Sequence, residues 1–401
     1  MARPQEEMLS ACQCKCEETI AILYWFWLSF DNFAKMPVYQ STSADEKEER
    51  LEPYPLPAPF TWVVLDLSSE AEMGDFQVLI NENYLEDPAG WSRFDYSLDF
   101  LRWAIQSPRE GARGILGVRV KTSGKLVACI TGVPATMKIN STAEPIEAAQ
   151  INFLCVHKKL RNKRLTPVLV KELMRRGRPL GVFHAIYTAA PELPNPRIST
   201  AKCWRRILNF KRLFDLELLG IPPRSTLAQQ VRLHRLPEKP SLGMIPMEMR
   251  HVEAVHALLQ ARLALVECRQ IFTIEEVTHL LLPRKDLVYT FVRETRDKVT
   301  DFFSFYSLPT SMLKIPGDVK VQTAYFYYSA CTSVSETVLA QEFMIHCRDL
   351  GFDMIRTTDV LDRSKWLDEL RFTCGDHNLH YYTFNCVPTL LDKSQVGLML
   401  V

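Results

Sequence analysis

The sequence predicts a mixed α/β sheet with helices packed against it, built twice in one chain. Three observations predict it. The composition is that of an ordinary globular protein, two stretches share one order of apolar runs, and a helix-period pattern lies inside each stretch. The chain has 401 residues, 47% hydrophobic and 24% charged, enough for two or three domains with a sizeable core.

In the first stretch Gly117 to Val120 reads as a strand that breaks at the turn Ser123-Gly124. Leu126 to Val133 is a second strand, which Pro134 is expected to end. Ile151 to Val156 is an apolar third strand, Leu165 to Arg176 an amphipathic helix, and Val182 to Tyr187 a fourth strand. The second stretch repeats the order: Leu287 to Arg293, a turn at Arg296-Asp297, and Phe302 to Leu308 with Pro309 behind it. Thr323 to Tyr328, a helix from Glu336 to Leu350, and Phe352 to Thr357 follow. The chain therefore divides into 1–59 (a tail, an aromatic segment and a Pro-rich linker), a half from 60 to 214, and a half from 215 to 401.

Charge excludes a general nucleic-acid binder, because 48 Lys+Arg against 47 Asp+Glu leave no basic excess to neutralise phosphates. Eleven cysteines without regular spacing read as reduced thiols of a cytosolic protein. Cys12, Cys14 and Cys16 lack a fourth ligand, so the cluster reads as incidental, with metal binding or lipidation as the alternative. Ile20 to Phe30 is too short to span a bilayer and is a poor signal peptide. A cytoplasmic monomer, in part associated with membrane, is the expectation.

One difference between the copies carries chemistry. After its third strand the first copy runs His157-Lys158-Lys159-Leu160-Arg161-Asn162-Lys163-Arg164 into its helix. The second copy runs Ser329-Ala330-Cys331-Thr332-Ser333-Val334-Ser335, without charge. A basic loop entering a helix start can hold phosphates, since free N–H groups and the helix dipole both favour an anion. A solvated basic turn is the plainer reading. No Walker or dinucleotide glycine pattern is present.

The run INFLCVHKKLRNKRLTPVLVK (Ile151 to Lys171) resembles the signature of glycylpeptide N-tetradecanoyltransferases, the N-myristoyltransferases. Phe60-Thr61-Trp62, NENY from Asn81, RFDYS from Arg93, Tyr187-Thr188-Ala189, DFFSFYSLP from Asp301 and Val396-Gly397-Leu398 carry the resemblance further, over about residues 22 to 401. It implies two fused acetyltransferase-like halves around a saddle-shaped sheet with pseudo-two-fold symmetry. It also implies transfer of a C14 acyl group from myristoyl-CoA to the α-amine of an N-terminal glycine. By the same resemblance the donor is a substrate, no cofactor is bound permanently, and there is no metal and no acyl-enzyme.

Residue by residue, Tyr24, Trp25, Phe26 and Trp27 match the segment that wraps the donor, with Trp25 where glutamine is usual. The backbone amides of Phe153 and Leu154 match an oxyanion hole, and Cys155 and Val156 lie beside the thioester. Asn162, Arg164, Leu165 and Thr166 match the phosphate-binding turn, with Lys163 inside it. The base implied by the family is the C-terminal carboxylate, here of Val401, and Asn152, Tyr187 and Thr188 match polar positions near the incoming amine.

For the peptide groove Asp87, Phe94, Tyr96, Thr310, Tyr325 and Asp376 match. Ala89 stands for an acid, Cys203 for a tyrosine, Arg205 for a histidine, Arg356 for an asparagine and His377 for a glycine. These departures weaken the expected choice of a lysine downstream of the glycine. They also motivate the alternative of a catalytically weak paralogue that binds acyl-CoA or acylated peptides. The implied partners are myristoyl-CoA, N-terminal-glycine peptides and nascent proteins, with peripheral ribosome or membrane association.

Overall fold

A computed structural model describes residues 50–85, 90–109, 115–140, 144–386 and 389–401, and of Asp376 the backbone alone. Tyr24 to Trp27, Cys12, Cys14, Cys16, Ile20 to Phe30, Asp87 and Ala89 lie outside the described residues.

The first half runs β1 (Phe60–Leu65), α1 (Glu70–Asn83), β2 (Ser92–Phe94), α2 (Leu98–Ile105) and β3 (Ile115–Val120). β4 (Leu126–Lys138), β5 (Ile146–Val156), α3 (Leu165–Gly177), β6 (His184–Ala189) and β7 (Arg197–Ile207) complete it. The second half runs β8 (Ile245–Pro246), α4 (Val252–Leu263), β9 (Cys268–Ile271), α5 (Ile274–Leu281), β10 (Val288–Thr295) and β11 (Lys298–Ser307). Then come β12 (Thr310–Met312), β13 (Lys320–Val321), β14 (Thr323–Cys331) and α6 (Glu336–Asp349). β15 (Met354–Thr358), β16 (Thr373–Phe384) and β17 (Val396–Gly397) end the chain.

One 14-stranded sheet has the order β1-β3-β4-β5-β6-β16-β7-β15-β14-β11-β10-β8, with β9 and β17 off this path. Read from its two edges towards the middle, the order is the same in each half. β5 and β6 are parallel and bracket α3, and β14 and β15 are parallel and bracket α6, because a parallel pair needs a crossover. The last strands are exchanged at the centre: β16 of the second half pairs with β6, and β7 of the first pairs with β15. This is the duplicated α/β architecture that the repeat predicted, and the halves are fused through their strands.

Helices lie on both faces. α3 buries Leu165, Leu169, Val170 and Met174, spaced to form one stripe, against β4 and β5. α6 does the same in the other half with Leu339, Ala340 and Phe343. The opposite face carries α1, α2, α4 and α5 over one continuous core that also takes up Val396 and Leu398.

Pro134 does not end the second strand; β4 runs on to Lys138, with Pro134 opposite Ala149 of β5. Among the described residues its other edge pairs with β3 only as far as Ile130 and with β9 only from Thr136. A proline in that gap breaks no ladder bond on that edge. No helix of the described residues is long and apolar enough to cross a membrane.

Candidate functional site

The site begins with a fault in the β4–β5 ladder. Cys129 faces Cys155 and Thr131 faces Asn152, so Phe153 and Leu154 together face Ile130. Such a bulge leaves main-chain groups out of register. Phe153 takes a φ of 45°, left-handed for a bulky residue, at a cost of about 1–3 kcal/mol. Surrounding rings hold it there: Phe76, Tyr84 and Tyr96 lie 6.0, 5.5 and 5.6 Å from its centroid. The carbonyls on either side are satisfied within the protein. Thr131 Oγ1 donates to the Asn152 carbonyl at 2.7 Å, and Cys129 Sγ to that of Phe153 at 3.4 Å. Burial raises the Tyr84 phenol, and a hydrogen bond from the Phe153 backbone opposes that rise.

The bulge opens into a cleft of about 180 Å³. Asn152, Phe153 and Leu154 line it from β5, Tyr187 and Thr188 from β6, and Val170, Leu173 and Met174 from α3. Tyr187 is stacked on Tyr382 with centroids 5.4 Å apart, which fixes its ring.

The chain end enters the same cleft. In the tail Val396–Gly397 is strand, parallel to β9. Gly397 is required there, since a Cβ would stand 2.8 Å from both Leu263 Cδ2 and Val266 Cγ2. Beyond it the main chain is held by side chains. Tyr381 donates to the Leu398 carbonyl at 3.2 Å, and the Met399 N–H donates to the Tyr328 hydroxyl at 3.2 Å. Val401 ends half-buried in the cleft. With its nitrogen turned towards the two acceptors that flank it, the Asn152 amide donates to the Val401 oxygen and to the Ile151 carbonyl, both at 3.2 Å. The terminal carboxylate thus has a neutral partner that orients it without quenching its charge.

The basic turn is a 3-10 segment, Lys158–Lys163, ending at Arg164 with a φ of 56°. No side chain caps the start of α3 there, so its first N–H groups are available to an anion. Asn162, Lys163 and Arg164 are exposed, whereas Leu165 and Thr166 are buried. Arg161 is not available: it is buried and donates to the Asn83 carbonyl at 2.6 Å, tying the turn to the C-terminus of α1. His157 is lowered by burial and by Lys125 and Lys159 nearby, which keeps it neutral beside the cations.

A second cavity of about 190 Å³ lies beyond the chain end and shares Leu379 and Leu400 with the first. Phe94 and Tyr325 line it, while Tyr96 lines the first cleft. The Phe94 ring bridges them, 5.9 Å from Tyr96 and 6.5 Å from Tyr325. Thr310 is buried in the β2–β12 ladder opposite Phe94. Cys155 and Val156 are buried in the cores behind the cleft and do not line it. Cys155 donates weakly to the Leu79 carbonyl at 3.9 Å. The sequence reading missed Val170, Leu173 and Met174 as cleft wall; their helical spacing was the available signal, but it marks core and cleft alike.

Known proteins resemble the chain throughout. The family model "Myristoyl-CoA:protein N-myristoyltransferase, N-terminal domain" matches residues 40–201, and the corresponding C-terminal domain matches 215–397. A glycylpeptide N-tetradecanoyltransferase 1 of Arabidopsis thaliana is 38% identical over 403 residues, covering 100% of this chain and 92% of its own. A glycylpeptide N-tetradecanoyltransferase 2 of Danio rerio is 37% identical, covering 98% and 81%. A crystal structure of Saccharomyces cerevisiae N-myristoyltransferase with bound myristoyl-CoA superposes with a TM-score of 0.85 at 30% identity, over 92% of this chain and 99% of that one.

Proposed function

Because this chain belongs to the myristoyl-CoA:protein N-myristoyltransferase family, we propose that it transfers the myristoyl group of myristoyl-CoA to the α-amine of an N-terminal glycine. It is an acyltransferase whose donor is a substrate. The observation that supports this reading best is the Val401 carboxylate oriented by Asn152 in the cleft that also holds the Phe153–Leu154 bulge.

The proposed reaction is a direct displacement. The terminal carboxylate takes a proton from the glycine ammonium, and the freed amine attacks the thioester carbonyl. The N–C bond forms, the Phe153 and Leu154 amides hold the oxyanion, and the C–S bond then breaks as the surplus proton on the nitrogen passes to the leaving sulfur, releasing the amide and CoA as its thiol. Each such donor is worth about 3 kcal/mol in known oxyanion holes. Lys163, Arg164 and the uncapped start of α3 bind the CoA phosphates, while Val170, Leu173 and Met174 give the acyl chain an apolar wall. In this reading the first half holds the donor and both halves form the peptide groove.

Single-turnover transfer from myristoyl-CoA to a Gly-starting peptide tests it, with the N-acetylated peptide as control. Transfer to the free amine alone is expected. Tight donor binding without transfer would favour the non-catalytic acyl-CoA-binding reading instead.

A further inference from the structure

Arg363 is buried, and the proposed reaction gives it no part. The chain turns inward just ahead of it, with a φ of 57° at Leu361 and 62° at Asp362, two successive left-handed residues that carry side chains. Such strain persists only where the surrounding contacts impose it. The Leu361 N–H donates to the Val396 carbonyl at 3.1 Å, the Leu361 carbonyl accepts from Arg262 at 2.6 Å, and Asp362 pairs with Lys365. The turn is thereby bolted to β17, where the tail starts, and Arg363 is the next residue.

The guanidinium lies against the tail. Nη2 donates to the Tyr327 carbonyl, and Nη1 donates to Thr357 Oγ1 at 2.9 Å and to the Met399 thioether at 3.6 Å. Its central carbon stands 4.4 Å from the centroid of the Phe326 ring. One side chain therefore joins β14, β15 and the tail, which a planar fork can do and a single ammonium cannot. Burial pushes the group down to about 10, so it keeps its charge and its donors at neutral pH. Among the described residues, the titratable groups that face it include Tyr328 on β14 and Tyr381 on β16, both raised by burial. Glu336 on α6 and Arg262 on α4 also face it and pair with each other at 3.1 Å. The two phenols are the same ones that hold the main chain of Leu398 and Met399.

We propose that Arg363 is a positioning residue for the base: it clamps Met399 to the Tyr327 carbonyl and to Thr357, and so sets where the Val401 carboxylate stops. The inference rests on the acyl-transfer reading above and adds to it the residue that aims its base. Past Met399 only Leu400 and Val401 remain, so an error there is carried straight to the carboxylate. A base must stay within hydrogen-bond reach of its proton, and a displacement of about 1 Å can cost roughly 10²-fold in rate. Hydrogen bonds in such buried surroundings are strengthened by poor screening, and their loss is felt correspondingly.

The test compares Arg363→Met with the unaltered full chain, since methionine keeps the stem and its packing and removes the fork. Single-turnover transfer to a Gly-starting peptide is read at about pH 7 and about pH 9, on either side of an α-amine pKa of about 8. At the lower pH the variant should be roughly tenfold slower or worse, with the Kd of a non-transferable thioether analogue of myristoyl-CoA unchanged. At the higher pH the glycine amine is largely free without a base, and the deficit should shrink to about twofold. A deficit of the same size at both values would mark a merely structural role and overturn the proposal, and so would no deficit at either. The second readout needs no transfer: removal of Val401 by a carboxypeptidase, followed by mass. It should run roughly tenfold faster in the variant, because a released tail opens more often, and equal trimming rates would sink the proposal. If Arg363→Met does not fold, Met399→Leu takes its place, since it removes the sulfur that the guanidinium touches. Its deficit should be about threefold at the lower pH and vanish at the higher, and any other pattern would tell against the clamp. Faster trimming of the variant, in a protein that binds the donor but transfers nothing, would support this inference and count against the acyl-transfer reading.

Discussion

In the first half Phe153 and Leu154 crowd opposite Ile130; in the second, Tyr327 and Tyr328 crowd opposite Ser304 at the matching place in β14. The same bulge occurs in both copies, with different surroundings. Ser304 is buried, accepts from the Tyr328 N–H at 3.1 Å and donates to its carbonyl at 3.0 Å. Ile130 has no group that could do either. The loops that follow diverge in the same sense. In the second half the N–H groups of Thr332 and Ser333 both donate at 2.9 Å to the buried carboxylate of Asp301. In the first half the corresponding turn offers Lys163, Arg164 and an uncapped helix start to the outside. One copy answers its bulge and its loop with its own side chains and becomes structure. The other holds its bulge carbonyls through Thr131 and Cys129 and the Phe153 amide through Tyr84, and leaves the cations of its loop facing outward.

The comparison can be broken most severely at the chain end, which is bonded to Tyr328 through Met399 and stops beside Asn152. Amidating Val401, deleting it or adding one glycine should lower the single-turnover rate by roughly 10²-fold or more, since the base moves or loses its charge. Val401→Leu should matter far less. Full activity after amidation, with donor binding intact, would send the proton elsewhere.

Copying the second half's answer into the first is the next test. Ile130→Thr places a hydroxyl against the bulge, and transfer should fall by roughly 10- to 100-fold, short of losing one oxyanion donor outright. Ile130→Val controls for packing. A threonine variant as fast as the valine variant would show that these amides do not hold the oxyanion.

The reverse change should affect stability instead. Ser304→Ala leaves the buried Tyr328 amide unpaired and should cost about 1–3 kcal/mol in chemical denaturation. Asp301 belongs to the same test. Burial pushes its carboxyl up, but the Ser333 hydroxyl and amide hold it below the usual range. A depressed folded pKa means that its contribution is full at neutral pH and is lost as pH falls through the carboxylate range. Asp301→Asn should flatten the acid limb of the stability profile.

The smallest effect is expected at the basic turn. Lys163→Ala and Arg164→Ala should each weaken myristoyl-CoA binding by about 1 kcal/mol, because both side chains are exposed and screened by salt. Arg161→Ala should cost stability instead, since its guanidinium is spent on Asn83. Calorimetry that finds Arg161 dominant for donor affinity would invert the assignment.

Much of this was legible before any coordinates. Apolar runs bounded by turns marked the two strand–strand–strand–helix–strand stretches, because burial on one face imposes a period that composition cannot hide. The charge contrast between the two loops was equally plain. Pro134 misled because a proline stops a strand only where its missing N–H is needed, and that depends on which strand lies alongside. Arg161 reads like its neighbours in the run, yet a carbonyl from a helix far back in the chain claims it.

What the sequence determined by itself was local: element type, order, the duplication, and the residue types at each loop. The exchange of β7 and β16, the left-handed turn at Phe153, the delivery of Val401 to Asn152 and the pairing of Arg356 with Arg205 were decided by tertiary structure. Each depends on contacts between segments distant in the chain. Strain at Phe153 persists because three rings over-determine its position. The carboxylate stands in the cleft because a glycine lets the tail pass Leu263 and Val266. No local pattern encodes such a meeting, since its free energy comes from partners that only the folded chain brings together.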